Sequence, residues 1–164
     1  MFGPLDTQRC FRGLLSAMSE PGTVHNVRPG LPLVLATLVD HEVRLAEVGE
    51  AHWDRADFVL VRGGDSGGEL GRARQGTLLD PALGATAIYE IDAVGDGPLA
   101  LALSGPGVGP AGRTLHLTGV PEAEVALWRR TRSGYPLGVD VILVDRSGRC
   151  AALPRSTTLS TVED

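Results

Sequence analysis

The sequence predicts an α/β fold in which a mixed sheet is flanked by helices. Three observations carry this expectation. The run Val139–Val144 is apolar apart from Asp140. A half-exposed strand alternates apolar with polar residues, so this run reads as a strand covered on both faces and lying inside its sheet. Asp145-Arg146-Ser147-Gly148 and Ser104–Gly112 carry turn chemistry and join neighbouring strand candidates as hairpins. Helical patterns are interspersed among the strand patterns rather than segregated from them.

The elements follow in order. Leu5–Met18 reads as a helix with Asp6 or Thr7 as N-cap. Phe11, Leu14, Leu15 and Met18 follow the i, i+3, i+4, i+7 spacing of an apolar face. Ser19-Glu20-Pro21-Gly22 ends it, because Pro21 moves its predecessor out of α geometry. Thr23–Val27 is a short strand, and Leu31–Val39 a buried helix that tolerates Pro32 in its first turn. Val43–Val48 and Ala56–Val61 are strands, with a helical turn at His52–Arg55 between them. Arg62–Gly84 is glycine-rich and irregular, with a weak helix at Glu69–Gln75. Thr86–Ile91, Leu99–Leu103 and Thr114–Leu117 are strands. Pro121–Arg132 is a helix offering Val125, Leu127 and Trp128 for burial. The hairpin Val139–Val144 and Cys150–Leu153 follows, stopped by Pro154, and then a polar tail, Thr158–Asp164. No repeat or linker divides the chain, so residues 1–164 are read as one domain.

Composition narrows the function classes. A net charge of −5 argues against nucleic acid as the main partner. All 15 basic residues are arginine. Without lysine there is no side chain for a Schiff base and no P-loop lysine for a nucleotide. No apolar run approaches the roughly 20 residues of a membrane span, and the N-terminus lacks a signal pattern; a cytoplasmic location is expected. Cys10 and Cys150 stand in apolar contexts and read as buried thiols. His25, His41, His52 and His116 show no metal-ligand spacing, and no cofactor is expected.

Candidate chemistry is sparse. Gly105–Pro110 follows a strand but leads into another strand, so it lacks the helix N-terminus of a phosphate loop and reads as a hairpin connection. Arg62–Gly68 reads as a surface loop; its Gly-Asp-Ser resembles a protease nucleophile loop only superficially. Arg12 and Glu20, with Arg155, Ser156 and Thr157, form the ligand-binding candidates, since arginine plus hydroxyls suits a phosphate. Asp140, inside an apolar strand, needs a buried partner and invites an arginine. Arg129, Arg130 and Arg132 make a basic patch. No catalytic residue is designated.

Three stretches together identify a resemblance: Phe11–Gly22 (FRGLLSAMSEPG), Thr114–Gly119 (TLHLTG), and Pro136–Leu143 (PLGVDVIL) with Leu153–Thr157 (LPRST). In this order and spacing they resemble the PhnH family, the H subunit of the bacterial carbon–phosphorus lyase core complex. Val43–Gly84 departs from the family pattern and is shorter. The resemblance implies a three-layer α/β/α sandwich like that of PLP-dependent transferases, but without PLP. It implies a homodimer that joins PhnG, PhnI and PhnJ subunits. It implies a part in forming ribose 1-alkylphosphonate 5-triphosphate from ATP and a phosphonate, as a non-catalytic scaffold. The alternative is a stand-alone phosphate- or phosphonate-binding protein or small enzyme using the arginine and hydroxyl set. The Phe11–Gly22 and Tyr135–Thr157 segments are expected to meet, bringing Arg12 to Asp140 or Arg155 to Glu20.

Overall fold

The computed structural model describes residues 1–50 and 53–162; His52 of the expected turn and the last two residues of the expected tail lie outside the described residues. The helices are α1 (Pro4–Ser19), α2 (Leu31–Leu38) and α3 (Glu122–Thr131). The strands are β1 (His25–Asn26), β2 (Leu45–Glu47), β3 (Phe58–Arg62), β4 (Thr86–Ile91), β5 (Ala93–Ser104), β6 (Arg113–Thr118), β7 (Asp140–Asp145), β8 (Arg149–Leu153) and β9 (Thr158–Thr161). Short 3-10 turns occupy Trp53–Arg55, Glu69–Arg72 and Pro81–Leu83.

Among the described residues, six strands form one sheet in the order β1-β8-β7-β4-β3-β2, and β6-β5-β9 form a second. β2, β3, β4 and β7 run parallel; β8 and β1 run antiparallel at the other edge. The mixed sheet is therefore as expected, and β7 lies inside it between β4 and β8. Its side chains alternate between two apolar environments. Ile142 and Val144 join Leu60, Ile88 and Cys150 against Cys10, Leu14, Leu31 and Val34 of α1 and α2. Val141 and Leu143 join Val59, Tyr89 and Leu153 against Trp128 of α3 and Leu101, Leu115 and Leu117 of the small sheet. Burial on both faces explains why this strand shows an unbroken apolar run.

Several expectations are corrected. The N-cap of α1 is Gly3, whose N–H donates to Asp6 Oδ2 at 2.8 Å; Asp6 sits inside the first turn. The core face of α1 is Cys10, Leu14 and Ala17, while Phe11 is 47% and Leu15 50% exposed. The helix carries two apolar stripes, and the one with small side chains lies closest to the sheet. β5 begins at Ala93, not Leu99, with an irregularity across Gly95–Pro98 that loop chemistry conceals. The polar tail contains a strand: β9 pairs antiparallel with β5 and buries Leu159.

The Phe11–Gly22 and Tyr135–Thr157 segments do meet. α1 packs on β8, and the Gly22 N–H donates to the Ala152 carbonyl at 3.4 Å. The specific pairs expected there do not form: Arg12 and Glu20 are exposed, and Asp140 is taken by Arg155.

Candidate functional site

The two ends of β7 are held by carboxylates. At the start, Asp140 accepts from Arg155 three times: backbone N–H to Oδ1 at 2.7 Å, Nε to Oδ1 at 3.2 Å and Nη2 to Oδ2 at 3.1 Å. Arg155 also donates from Nη1 to the Pro81 carbonyl at 2.8 Å. It thus fastens the 3-10 turn at Pro81–Leu83 to the bend after β8. The arginine that Asp140 needed is its neighbour across the hairpin. Both side chains are less than a fifth exposed. Arg155→Ala is therefore expected to destabilise by about 2–3 kcal/mol, read from urea unfolding, because it leaves a half-buried carboxylate and a freed carbonyl. A loss within a few tenths of a kcal/mol would show that water replaces the guanidinium without penalty.

At the far end of β7, Asp145 is buried. Its Oδ1 accepts from the Ser147 N–H, the Ser147 hydroxyl and the Arg149 N–H; its Oδ2 accepts from the Val94 N–H at 2.9 Å and Arg149 Nε at 3.0 Å. Burial alone would raise its pKa, but the hydrogen bonds from Ser147, Val94 and Arg149 and the Arg149 charge hold it below the usual value.

A cavity of about 410 Å³ opens between the C-terminal end of α3 and residues 155–159. Arg129, Arg132, Arg155, Ser156, Thr157 and Thr158 line it, and among the described residues no carboxylate does. Arg132 is only 7% exposed. Its guanidinium donates to four backbone carbonyls: Trp128 at 3.0 Å, Pro154 at 2.9 Å, Thr157 at 3.2 Å and Leu153 at 3.3 Å. Burial pulls its pKa down to about 10; Asp140 raises it and Arg155 lowers it. It stays charged at neutral pH. The Thr157 hydroxyl is buried without a hydrogen-bond partner.

The arrangement brings Arg155, Ser156 and Thr157 together on one wall. It does not bring Arg12 or Glu20 to them: α1 covers the opposite face of the six-stranded sheet. Arg132 is the residue that pattern reading missed. In sequence it is one member of a basic patch with Arg129 and Arg130; only the packing of α3 on β9 shows that its head turns inward.

The other motifs have structural roles. Gly105–Pro110 is the β5–β6 connection, and Gly107 lies so close to the Ser19 carbonyl that a methyl there would overlap it. Ser66, in the Gly-Asp-Ser tripeptide, is buried and donates from backbone and hydroxyl to Glu124 Oε1, each at 3.1 Å. The Tyr89 hydroxyl donates to the other Glu124 oxygen, and the Tyr89 ring meets Trp128 edge-on at 5.2 Å. Burial, then the Glu124 carboxylate, push the Tyr89 hydroxyl well above its ordinary pKa. Cys10 and Cys150 are buried free thiols; burial raises Cys10 and pushes Cys150 up to about 12. Among the described residues no cluster of His, Cys, Asp and Glu is arranged to hold a metal. No described helix is long and apolar enough to cross a membrane.

The family described as "Bacterial phosphonate metabolism protein (PhnH)" matches residues 3–55 and 46–160, in two pieces that overlap within residues 46–55. The chain is 35% identical to the "Putative C-P lyase subunit protein HtxG" of Stutzerimonas stutzeri, over 93% of this chain and 85% of that protein. It is 25% identical to the "Alpha-D-ribose 1-methylphosphonate 5-triphosphate synthase subunit PhnH" of Rhizobium meliloti (strain 1021), over 94% of this chain and 90% of that protein.

Proposed function

The chain belongs to the PhnH family, and from that premise we propose that it is a subunit of a carbon–phosphorus lyase assembly in phosphonate catabolism. Its part is that of a dimeric scaffold, acting as one domain in the cytoplasm. It joins PhnG-, PhnI- and PhnJ-type subunits in forming ribose 1-alkylphosphonate 5-triphosphate from ATP and phosphonate. The observation that carries this reading is the family match along nearly the whole chain. The layering expected of the family, a three-layer sandwich like PLP-dependent transferases, is proposed here with α1 and α2 as one outer layer and α3 with the small sheet as the other.

Surface apolarity supports a scaffold. Leu79 is fully exposed, Leu78 79% and Leu83 45%, and Tyr135, which lines a cleft with Pro81 and Ala82, is 63% exposed. An exposed apolar group of this kind is commonly a contact surface. Co-expression with the G, I and J subunits tests the reading. The chain is expected to co-elute with them at about 1 µM, a concentration at which ordinary subunit affinities hold. Leu79→Glu, placing a charge at this surface, is expected to weaken either the dimer or the assembly. Elution of the native chain apart from the other three subunits would defeat the proposal and favour a stand-alone protein.

A further inference from the structure

The geometry points to a binding site for a doubly charged tetrahedral oxyanion, a phosphonate or phosphate head, in the cavity between the C-terminal end of α3 and residues 155–159. Choosing a phosphonate among such anions rests on the family reading above; the anion site itself does not.

The first argument is charge. Among the described residues, three arginines line the cavity against one nearby carboxylate, Asp140, which is engaged by Arg155. Among the described residues, neither Arg129 nor Arg132 has a carboxylate within 4.0 Å. Arg132 is the decisive case, because a buried cation ordinarily has an anionic partner. Its four acceptors are carbonyl dipoles, not charges. They orient the guanidinium without neutralising it. Arginine has five N–H donors. Four are directed at those carbonyls, so one N–H on Nη2 has no acceptor among the described residues.

The second argument is independent of charge. Thr157 lines the cavity, and its buried hydroxyl has no hydrogen-bond partner among the described residues. Leaving such a group unpaired costs about 1–3 kcal/mol, and a bound oxygen acceptor would remove that cost after a small side-chain rotation. Ser156 and Thr158 add hydroxyls at the mouth. A guanidinium held by backbone acceptors, the exposed Arg129 and several hydroxyls match the acceptor-only oxygens of phosphate and phosphonate. The cavity volume, about 410 Å³, lies within the range of small-ligand pockets.

Calorimetric titration of the full chain with methylphosphonate, and separately with inorganic phosphate, tests the site. Arg129→Glu and Thr157→Val serve as variants, because neither removes a native hydrogen bond. Arg12→Glu, beneath the opposite face of the sheet, is the control. The expected result is saturable one-to-one binding with Kd near or below about 1 mM at low salt, and a loss of about tenfold or more in both cavity variants. Both variants are expected to keep the wild-type melting temperature without ligand, and Arg12→Glu to bind as wild type. Absence of saturation by either anion up to about 10 mM overturns the site, as does wild-type affinity in Arg129→Glu and Thr157→Val. Saturation by phosphate but not methylphosphonate keeps the site and rejects the phosphonate choice, separating it from the family reading.

Discussion

Asp145→Asn is expected to lower the free energy of unfolding by about 3 kcal/mol, because the carboxylate organises donors from three segments. Val94 opens β5, Ser147 lies in the β7–β8 turn, and Arg149 opens β8. One side chain therefore joins the small sheet to the hairpin. An asparagine carries one acceptor oxygen and turns an NH₂ towards donors. Urea unfolding followed by fluorescence reads the change, since Trp53 and Trp128 are both fully buried. The pH dependence supplies a second check. The folded-state pKa of Asp145 is lowered, so its contribution is present above the unfolded value of about 3.9 and disappears as pH falls through the folded value. The gap between wild type and Asp145→Asn is thus expected to be full at neutral pH and to shrink in acid below about pH 4. A gap under about 1 kcal/mol, or one unchanged in acid, would mean that the donors find water instead.

The central sheet was legible because burial on both faces leaves a run with no polar alternation, and β7 shows that run. β4 was equally clear, with matching bounds at Thr86–Ile91. What escaped reading lies at the edges. β9 has the sequence Thr-Leu-Ser-Thr, with Leu159 its buried residue. An edge strand with one wet face needs no more apolarity than that, so composition made it a tail. The extension of β5 through Gly95–Pro98 escaped for a related reason. Glycine and proline there serve a bulge inside the strand, and the same residues elsewhere end strands. On α1, periodicity located the helix but not its inner face. Close approach to β8 favours Cys10 and Ala17 over Phe11 and Leu15, and that preference depends on the partner surface, which local sequence does not contain.

The candidate site divides in the same way. Asp140 announced itself as a polar interruption in an apolar run, and a partner was inferred for it. Arg155, Ser156 and Thr157 were legible as an arginine followed by hydroxyls. Arg132 was hidden among three arginines, and nothing in a local pattern distinguishes the inward one from Arg129 and Arg130. Three of its four acceptors belong to the bend at Leu153–Thr157, over twenty residues away. Side chains that read backbone carbonyls leave no complementary residue in the sequence to find.

That dependence on carbonyls makes Arg132→Met a strong test of the architecture. Burying an ion pair is often no better than burying two apolar side chains, because both charges can be removed together. Arg132 offers no such exchange. Its partners are the backbone oxygens of Trp128, Leu153, Pro154 and Thr157, and these stay polar whatever occupies the position. Methionine preserves much of the stem and removes the cost of burying the charge, but takes a donor from each carbonyl; Trp128 keeps the Thr131 hydroxyl and Pro154 keeps the Thr157 N–H. At about 1–3 kcal/mol for each carbonyl then left without a donor, offset by the relieved desolvation, the expected net loss is about 2–4 kcal/mol in urea unfolding. The bend in question carries the chain from β8 in the large sheet to β9 in the small one. Loosening it should release β9 from β5 before the core opens. Hydrogen exchange is therefore expected to speed up first at Leu159 and Thr161, while Ile88 and Leu143 in the central strands remain protected. Uniformly faster exchange would place Arg132 in the general core and not at the crossover. A loss below about 1 kcal/mol would show that solvent reaches the carbonyls, and that the charge is less buried than the geometry indicates.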